Sequence, residues 1–219
     1  RVGAAAVLGG GGKVRSLGHV ASGARLLATA STGEVYVMDA MTLAPAAGLP
    51  VPMISAHCAP LHRVAFGESS EVAAVAAANG TIRLWELSHY TVAAEIRVPN
   101  ELRPHVLVYT GGLILSGWSD GSLRCFDDRS HLEWEIPKAH RGALSAIAVS
   151  PRFILSGGDD GALRLWSPST RAMLAQFSEH RSAIVSVLVD AIEPSFVHSC
   201  SRDKSIVTVD LKEERRVVT

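Results

Sequence analysis

Apolar and polar residues alternate along this chain with a period of two, in short runs broken by Gly, Asp, Asn and Ser. Five copies of one pattern carry the alternation: TGEVYVMD (Thr32 to Asp39), NGTIRLWE (Asn79 to Glu86), DGSLRCFD (Asp120 to Asp127), DGALRLWS (Asp160 to Ser167) and DKSIVTVD (Asp203 to Asp210). Each opens on a small or acidic turn residue and closes its strand on Met38, Trp85, Phe126, Trp166 or Val209, at spacings of 47, 41, 40 and 43. Asp-Gly and Asn-Gly favour tight hairpin turns because both residues tolerate positive φ. A second apolar run precedes every turn: ARLLATA, EVAAVAAA, GLILSG, RFILSG and SFVHSC. Before three of these a third run starts at a histidine, over His57 to Phe66, His140 to Val149 and His180 to Val189. Strand following strand without a helical period predicts an all-β fold.

A period near forty with Asp-Gly turns and a Trp-Asp-like strand end resembles the WD repeat, which implies a β-propeller of four-stranded blades. The stretch AHRGALSAIAVSPRFILSGGDDGALRLW matches that family's hydrogen-bonded tetrad at His140, Ser156, Asp160 and Trp166. The same offsets give His180, Ser199 and Asp203 in the last copy, with Val209 in the Trp place. The copy ending at Trp85 keeps His57 but has Val75 and Asn79, and the copy ending at Phe126 keeps Ser116 and Asp120 but has Pro99-Asn100 for the Ala-His pair. The first copy has Ala28, Thr32 and Met38 at the tetrad places. The expected blades are 13–53, 54–95, 96–136, 137–177 and 178–219, the last including the start of a further blade, after a linker or blade end over 1–12. Seven blades are usual for the family, so the resemblance implies part of a larger seven-bladed or tandem propeller.

The third repeat narrows the resemblance. WELSHYTVAAEIRVPN, then LILSGWSDGSLRCF and KAHRGALSAIAVS, is similar to the cilia- and flagella-associated protein 52 family. That family implies a non-enzymatic, microtubule-associated protein of axonemes, with tubulin and other axonemal proteins as partners. A centriolar microtubule-wall WD-repeat protein, with a place at the centriole or basal body, would give similar motifs.

Charge and composition narrow the function further. Twenty-one basic and 21 acidic residues give a net charge of +0, which speaks against nucleic acid or a polybasic membrane anchor. No apolar stretch is long enough to span a bilayer as a helix, and no leader of secretory type precedes the repeats, so a cytoplasmic, cytoskeletal place is expected. Cys58, Cys125 and Cys200 are scattered, as thiols of a reducing compartment are.

The chemistry-bearing residues have structural explanations. His57, Cys58 and His62 read as repeat and loop residues rather than metal ligands. Asp159-Asp160 lacks the further oxygen ligands of a Ca²⁺ site. No nucleophile elbow or phosphate loop is present, so no catalytic, cofactor, metal or small-molecule substrate site is expected. Trp118 precedes the turn at Ser119-Asp120, where it is either an exposed interface anchor or core. With Arg141, Asp159 and Arg202 it makes up the candidate partner-binding rim. Phe126-Asp127-Asp128-Arg129 resembles the adaptor-docking box of cullin-type ubiquitin ligase substrate receptors, a competing function of another class.

Overall fold

The computed structural model describes residues 12–20, 25–45, 59–67, 72–89, 91–98, 101–213 and 215–217. Every regular element among them is a strand, and the strands form five sheets whose order follows the chain. The first sheet holds β1 (Val14–Val20), β2 (Arg25–Ala30) and β3 (Val35–Asp39). The second holds β4 (Leu61–Phe66), β5 (Val72–Ala77), β6 (Thr81–Glu86) and β7 (Thr91–Arg97). The third holds β8 (Pro104–Thr110), β9 (Leu113–Trp118), β10 (Leu123–Asp127) and β11 (Leu132–Ile136). The fourth holds β12 (Leu144–Ser150), β13 (Phe153–Gly158), β14 (Leu163–Trp166) and β15 (Met173–Phe177). The fifth holds β16 (Ile184–Val189), β17 (Phe196–Ser201), β18 (Ile206–Asp210) and β19 (Arg215–Val217). Among the described residues no helix is long and apolar enough to cross a membrane.

The chain divides into two compact units, Arg1–Ile114 with Phe126–Glu133, and Leu115–Cys125 with Trp134–Thr219. In the first, Leu27, Val35 and Val37 of one sheet pack with Leu61, Val64, Val75 and Trp85 of the next. Strand β5 reads VAAVAA because it is covered on both faces: Ala73 to Ala77 are all fully buried. In the second unit, Ala146, Leu155 and Leu163 of the fourth sheet pack against Ile184, Val187, Val197 and Val207 of the fifth. The last strands of the sheets, such as β7 and β15, are largely exposed.

The turns before β6, β10 and β14 place Gly80, Gly121 and Gly161 at φ of 84°, 79° and 73°. In the fifth sheet the same turn carries Lys204 at φ 69°, a conformation that costs a side-chain-bearing residue energy. The tail corrects the expectation of a further blade's start after residue 210. Arg215–Val217 pairs antiparallel with β18 (Thr208 with Val217, Asp210 with Arg215), so it completes the fifth sheet.

Candidate functional site

The fourth sheet brings all four of its predicted tetrad residues together. His140 leads into β12, Ser156 lies in β13, Asp160 sits in the β13–β14 turn, and Trp166 ends β14. Trp166 Nε1 donates to Ser156 Oγ at 2.8 Å, and Ser156 Oγ meets His140 Nε2 at 2.7 Å. His140 Nδ1 meets Asp160 Oδ1 at 2.9 Å. Arg164 Nη1 also lies 2.7 Å from Nδ1, and the tautomer is assigned from the indole, which can only donate, and the carboxylate, which can only accept. The serine hydroxyl, accepting from the indole, donates to Nε2, so the imidazole carries its proton on Nδ1 and gives it to the carboxylate. Burial pushes the His140 pKa down, which keeps the ring in the neutral form this chain requires.

Asp160 is the hub. It also accepts from the backbone N–H of Arg141 at 3.0 Å and of Ala162 at 3.2 Å, and Arg164 Nη1 reaches it at 2.9 Å. Burial raises the pKa of such a carboxyl, but the donors from His140, Arg141 and Arg164 win and hold it at about 2. A Ser–His–Asp chain is also the order of a hydrolase triad, yet Ser156 is fully buried and its oxygen is shared with the indole, so no substrate atom can reach it.

The fifth sheet changes the wiring. His180 Nε2 meets Ser199 Oγ at 2.9 Å, but His180 Nδ1 meets Ser205 Oγ at 2.9 Å, and that hydroxyl donates to Asp203. Asp203 is thus reached through a serine relay, with its own oxygen 3.4 Å from the ring. The Ser205 hydroxyl and the Arg181 backbone N–H hold the Asp203 carboxyl well below the usual range. Val209 is buried at the Trp place, and Ser199 donates to the Val207 carbonyl instead.

The third sheet explains Trp118. Its side chain is completely buried, which corrects its assignment to the exposed rim. Trp118 Nε1 donates to Ser116 Oγ at 2.8 Å, and the Arg124 guanidinium lies over the ring, 5.2 Å from its centroid. Counting from the turn aspartates, Trp118 is the counterpart of Gly158. A Cβ on Gly158 would come within 2.5 Å of the His140 ring. The two sheets therefore fill equivalent space by exchange: a histidine before the first strand with glycine at the end of the second, or a tryptophan at that end. Asp120, lacking a histidine, binds Arg124 at 2.8 Å, and Arg124 reaches Glu135 at 2.8 Å as well. Pro99 and Asn100 lie outside the described residues.

In the second sheet His57 and Cys58 lie outside the described residues, and Trp85 is buried. Val75 carries no hydroxyl there, while Asn79 Oδ1 caps its turn by accepting from Thr81 N and Oγ1 at 3.2 and 2.7 Å. In the first sheet Ala28 and Met38 are buried with Ala30 and Tyr36.

Two sets of residues were missed by the sequence reading. Ser205 is one. The other is the arginine in the fifth place of three copies: Arg83 Nε reaches Glu95 at 2.6 Å, Arg124 reaches Glu135, and Arg164 Nε reaches Gln176 at 2.8 Å. Each ties the third strand of its sheet to the fourth, a signal visible as a repeated Arg once the copies are stacked.

The other rim candidates are exposed. Arg141 and Asp159 flank the lock of the fourth sheet, where the Asp159 carboxylate accepts from Ala143 N at 3.3 Å. Arg202 stands in the fifth sheet's equivalent turn, its N–H donating to the Ala183 carbonyl at 3.0 Å. Arg181 holds the place that Arg141 holds, with its N–H on Asp203 at 2.8 Å. Asp127, in the Phe-Asp-Asp-Arg stretch, caps its own turn by accepting from the N–H groups of Arg129 and His131 at 2.9 and 2.7 Å. Among the described residues no group of three or more His, Cys, Asp or Glu is arranged to hold a metal ion.

With this geometry in place, residues 48–86 and 134–167 match the WD domain, G-beta repeat family. The chain carries WD repeats. The relatives include cilia- and flagella-associated protein 52 of Chlamydomonas reinhardtii, 34% identical over 170 residues (74% of this chain, 27% of the relative). Its Mus musculus counterpart is 30% identical over 142 residues (62% of this chain, 23% of the relative). WD repeat-containing protein 90 of Mus musculus is 29% identical over 151 residues, 64% of this chain and 8% of the relative. The matched region is thus about a quarter, or less, of the length of these relatives. WD-repeat propellers generally act as scaffolds for other proteins, and the locks described above use their Ser, His and Asp groups for structure.

Proposed function

We propose that this chain is a non-enzymatic protein-binding scaffold of the ciliary or flagellar axoneme, held on doublet microtubules by tubulin and other axonemal proteins. The observation that carries the reading is the similarity, at 34% and 30% identity, to proteins named cilia- and flagella-associated from two distant organisms. Two features support it. The net charge of +0 suits a protein partner better than a polyphosphate chain. The locks hold Arg141, Asp159 and Arg202 outward on fixed turns, and presentation of arginine on a rigid frame suits a protein interface.

Cryo-electron microscopy of isolated doublet microtubules tests the proposal directly. Density for the repeats on the lattice or in the lumen is the expected result; doublets that lack the chain altogether sink it. Arg141→Glu combined with Arg202→Glu should lower its recovery with doublets while leaving its unfolding midpoint unchanged.

A further inference from the structure

The fifth copy is three residues longer than the fourth, and the extra residues fall between its first two strands. In the fourth sheet Val149 and Phe153 are joined through a tight turn, whereas Asp190 to Ser195 separate the equivalent Val189 and Phe196. Insertions in repeat proteins map to loops of one face, often the binding face. This loop is firmly held. Asp190 Oδ1 accepts from the N–H groups of Ile192 and Glu193 at 2.8 and 2.9 Å. The Phe196 N–H donates to the Glu193 carbonyl at 2.9 Å, and the Leu211 N–H donates to the Ser195 carbonyl at 2.8 Å. A large apolar side chain, Ile192, is thereby kept 91% exposed.

Between this loop and the β12–β13 turn lies a groove of about 640 Å³, within the range of ligand-holding clefts. Phe153, Leu165 and Leu211 line it and continue the apolar core between the fourth and fifth sheets. Ile192, Pro151 and Pro194 line it from exposed positions. Three charged side chains complete the lining: Arg152, Lys212 and Glu193. All three are exposed, and none makes an ion pair among the described residues. Two unpaired cations beside an apolar floor favour an occupant that carries carboxylates next to an apolar side chain. A bare anion or a polyphosphate chain would leave the floor and Ile192 uncovered. A wholly apolar occupant would take water from two cations without giving them a partner.

We propose that this groove docks an acidic peptide segment of a partner protein. An apolar side chain of the segment sits on Phe153, Leu165 and Leu211, and its carboxylates face Arg152 and Lys212. Ile192 loses its exposure against the seated segment, and the held loop spares the ordering cost of binding. Glu193 repels a carboxylate brought to its side and so narrows the ways in which the segment can lie. The groove stands at the opposite end of β13 and β17 from the turns that carry Asp159 and Arg202, so it is separate from that rim. It rests on the scaffold reading only in taking a protein as partner.

Amide resonances of the full chain, followed by NMR during titration with the capped peptide Glu-Glu-Leu-Glu-Glu, test the site. Peptides with Ser in place of Leu, or with Lys in place of every Glu, are the comparisons. Saturable shifts at Arg152, Ile192 and Lys212 are expected with the first peptide, at about tenfold lower concentration than with either other. Arg152→Glu with Lys212→Glu should weaken binding by about tenfold, Ile192→Ser by about fivefold, and Glu193→Gln should tighten it about twofold. These side chains are exposed, so the unfolding midpoints should stay where they are, and Arg141→Glu with Arg202→Glu should leave binding unchanged. No saturable shift at the groove overturns the site, as does equal binding of either comparison peptide or equal loss in the Arg141 and Arg202 variant. So does sedimentation showing a dimer that Ile192→Ser dissolves, since the groove then takes a second copy. The assay holds only chain and peptide, so its failure leaves the doublet test standing, and doublets that lack the chain leave the peptide result standing.

Discussion

The third and fourth sheets solve the same problem with different residues. In the fourth, His140 bridges Ser156 to Asp160, and Gly158 leaves room for the ring. In the third, Trp118 fills the corresponding space and bonds Ser116, while Asp120 turns to Arg124. The difference teaches that the shared requirement is a filled, hydrogen-bonded corner behind the turn; the histidine is one way of meeting it. The fifth sheet, with its Ser205 relay and Val209, is a third way.

The comparison breaks most sharply if the two solutions are mixed. Gly158→Trp alone should destabilise the chain by about 4 kcal/mol or more, since the new side chain and His140 claim one space. Adding His140→Ala should return about 1–3 kcal/mol of that, a coupling measurable by urea denaturation of the double-mutant cycle. If the double variant is no better than Gly158→Trp alone, the two positions are not exchangeable. Trp118→Gly leaves a cavity and removes the indole donor to Ser116 in the third sheet, and should cost about 3–5 kcal/mol by the same measurement.

Smaller effects separate the fourth sheet from the fifth. Ser156→Ala strands both the His140 nitrogen and the Trp166 indole and should cost about 2–3 kcal/mol, whereas Ser199→Ala strands only His180 and should cost about 1–2 kcal/mol. Acid should act on the fourth sheet in two steps. The His140 pKa is lowered on folding, so its contribution is full above 6.5 and is lost as pH falls from there through the lower folded value. Asp160, lowered from 3.8 to about 2, contributes fully above 3.8 and loses its contribution between those values. Urea midpoints measured across this range should fall on acidification, and His140→Ala should remove the upper step. At the small end, Lys204→Gly should stabilise by about 0.5–1 kcal/mol, because glycine takes the positive φ of that turn without strain. No such gain is available at Gly161, which already has the conformation.

Much of this was legible in the residues. The turn signals fell where Gly80, Gly121 and Gly161 take positive φ, and the alternation located the first three strands of the later sheets. His140, Ser156, Asp160 and Trp166 could be named because their spacing is regular. Trp118 could not be placed, since whether a residue before a turn faces solvent or a corner depends on what else fills that corner, here an absent histidine ring. Ser205 escaped because a serine after a turn is ordinary in sequence and becomes a relay only where its hydroxyl stands between the histidine ring and the aspartate. The bulges in β1, β4, β12 and β16 were equally silent: one skipped pairing partner reverses which side a residue faces, and sequence alternation alone does not show where the skip occurs. The outer strands, such as Thr91–Arg97, lack a buried face and so lack a pattern.

The lock of the fourth sheet spans little chain: His140 and Ser156 are 16 residues apart, and His140 and Asp160 are 20. Loops this short close at low entropic cost, so a sheet's lock can set while its own segment is still leaving the ribosome, before any distant sheet exists. In a chain of repeats that contact mainly their neighbours, folding can start at any repeat and spread to the next. Erosion of one copy then slows or weakens a single step without derailing the rest. Such tolerance is consistent with four copies that depart from the tetrad beside a fourth sheet that keeps it whole.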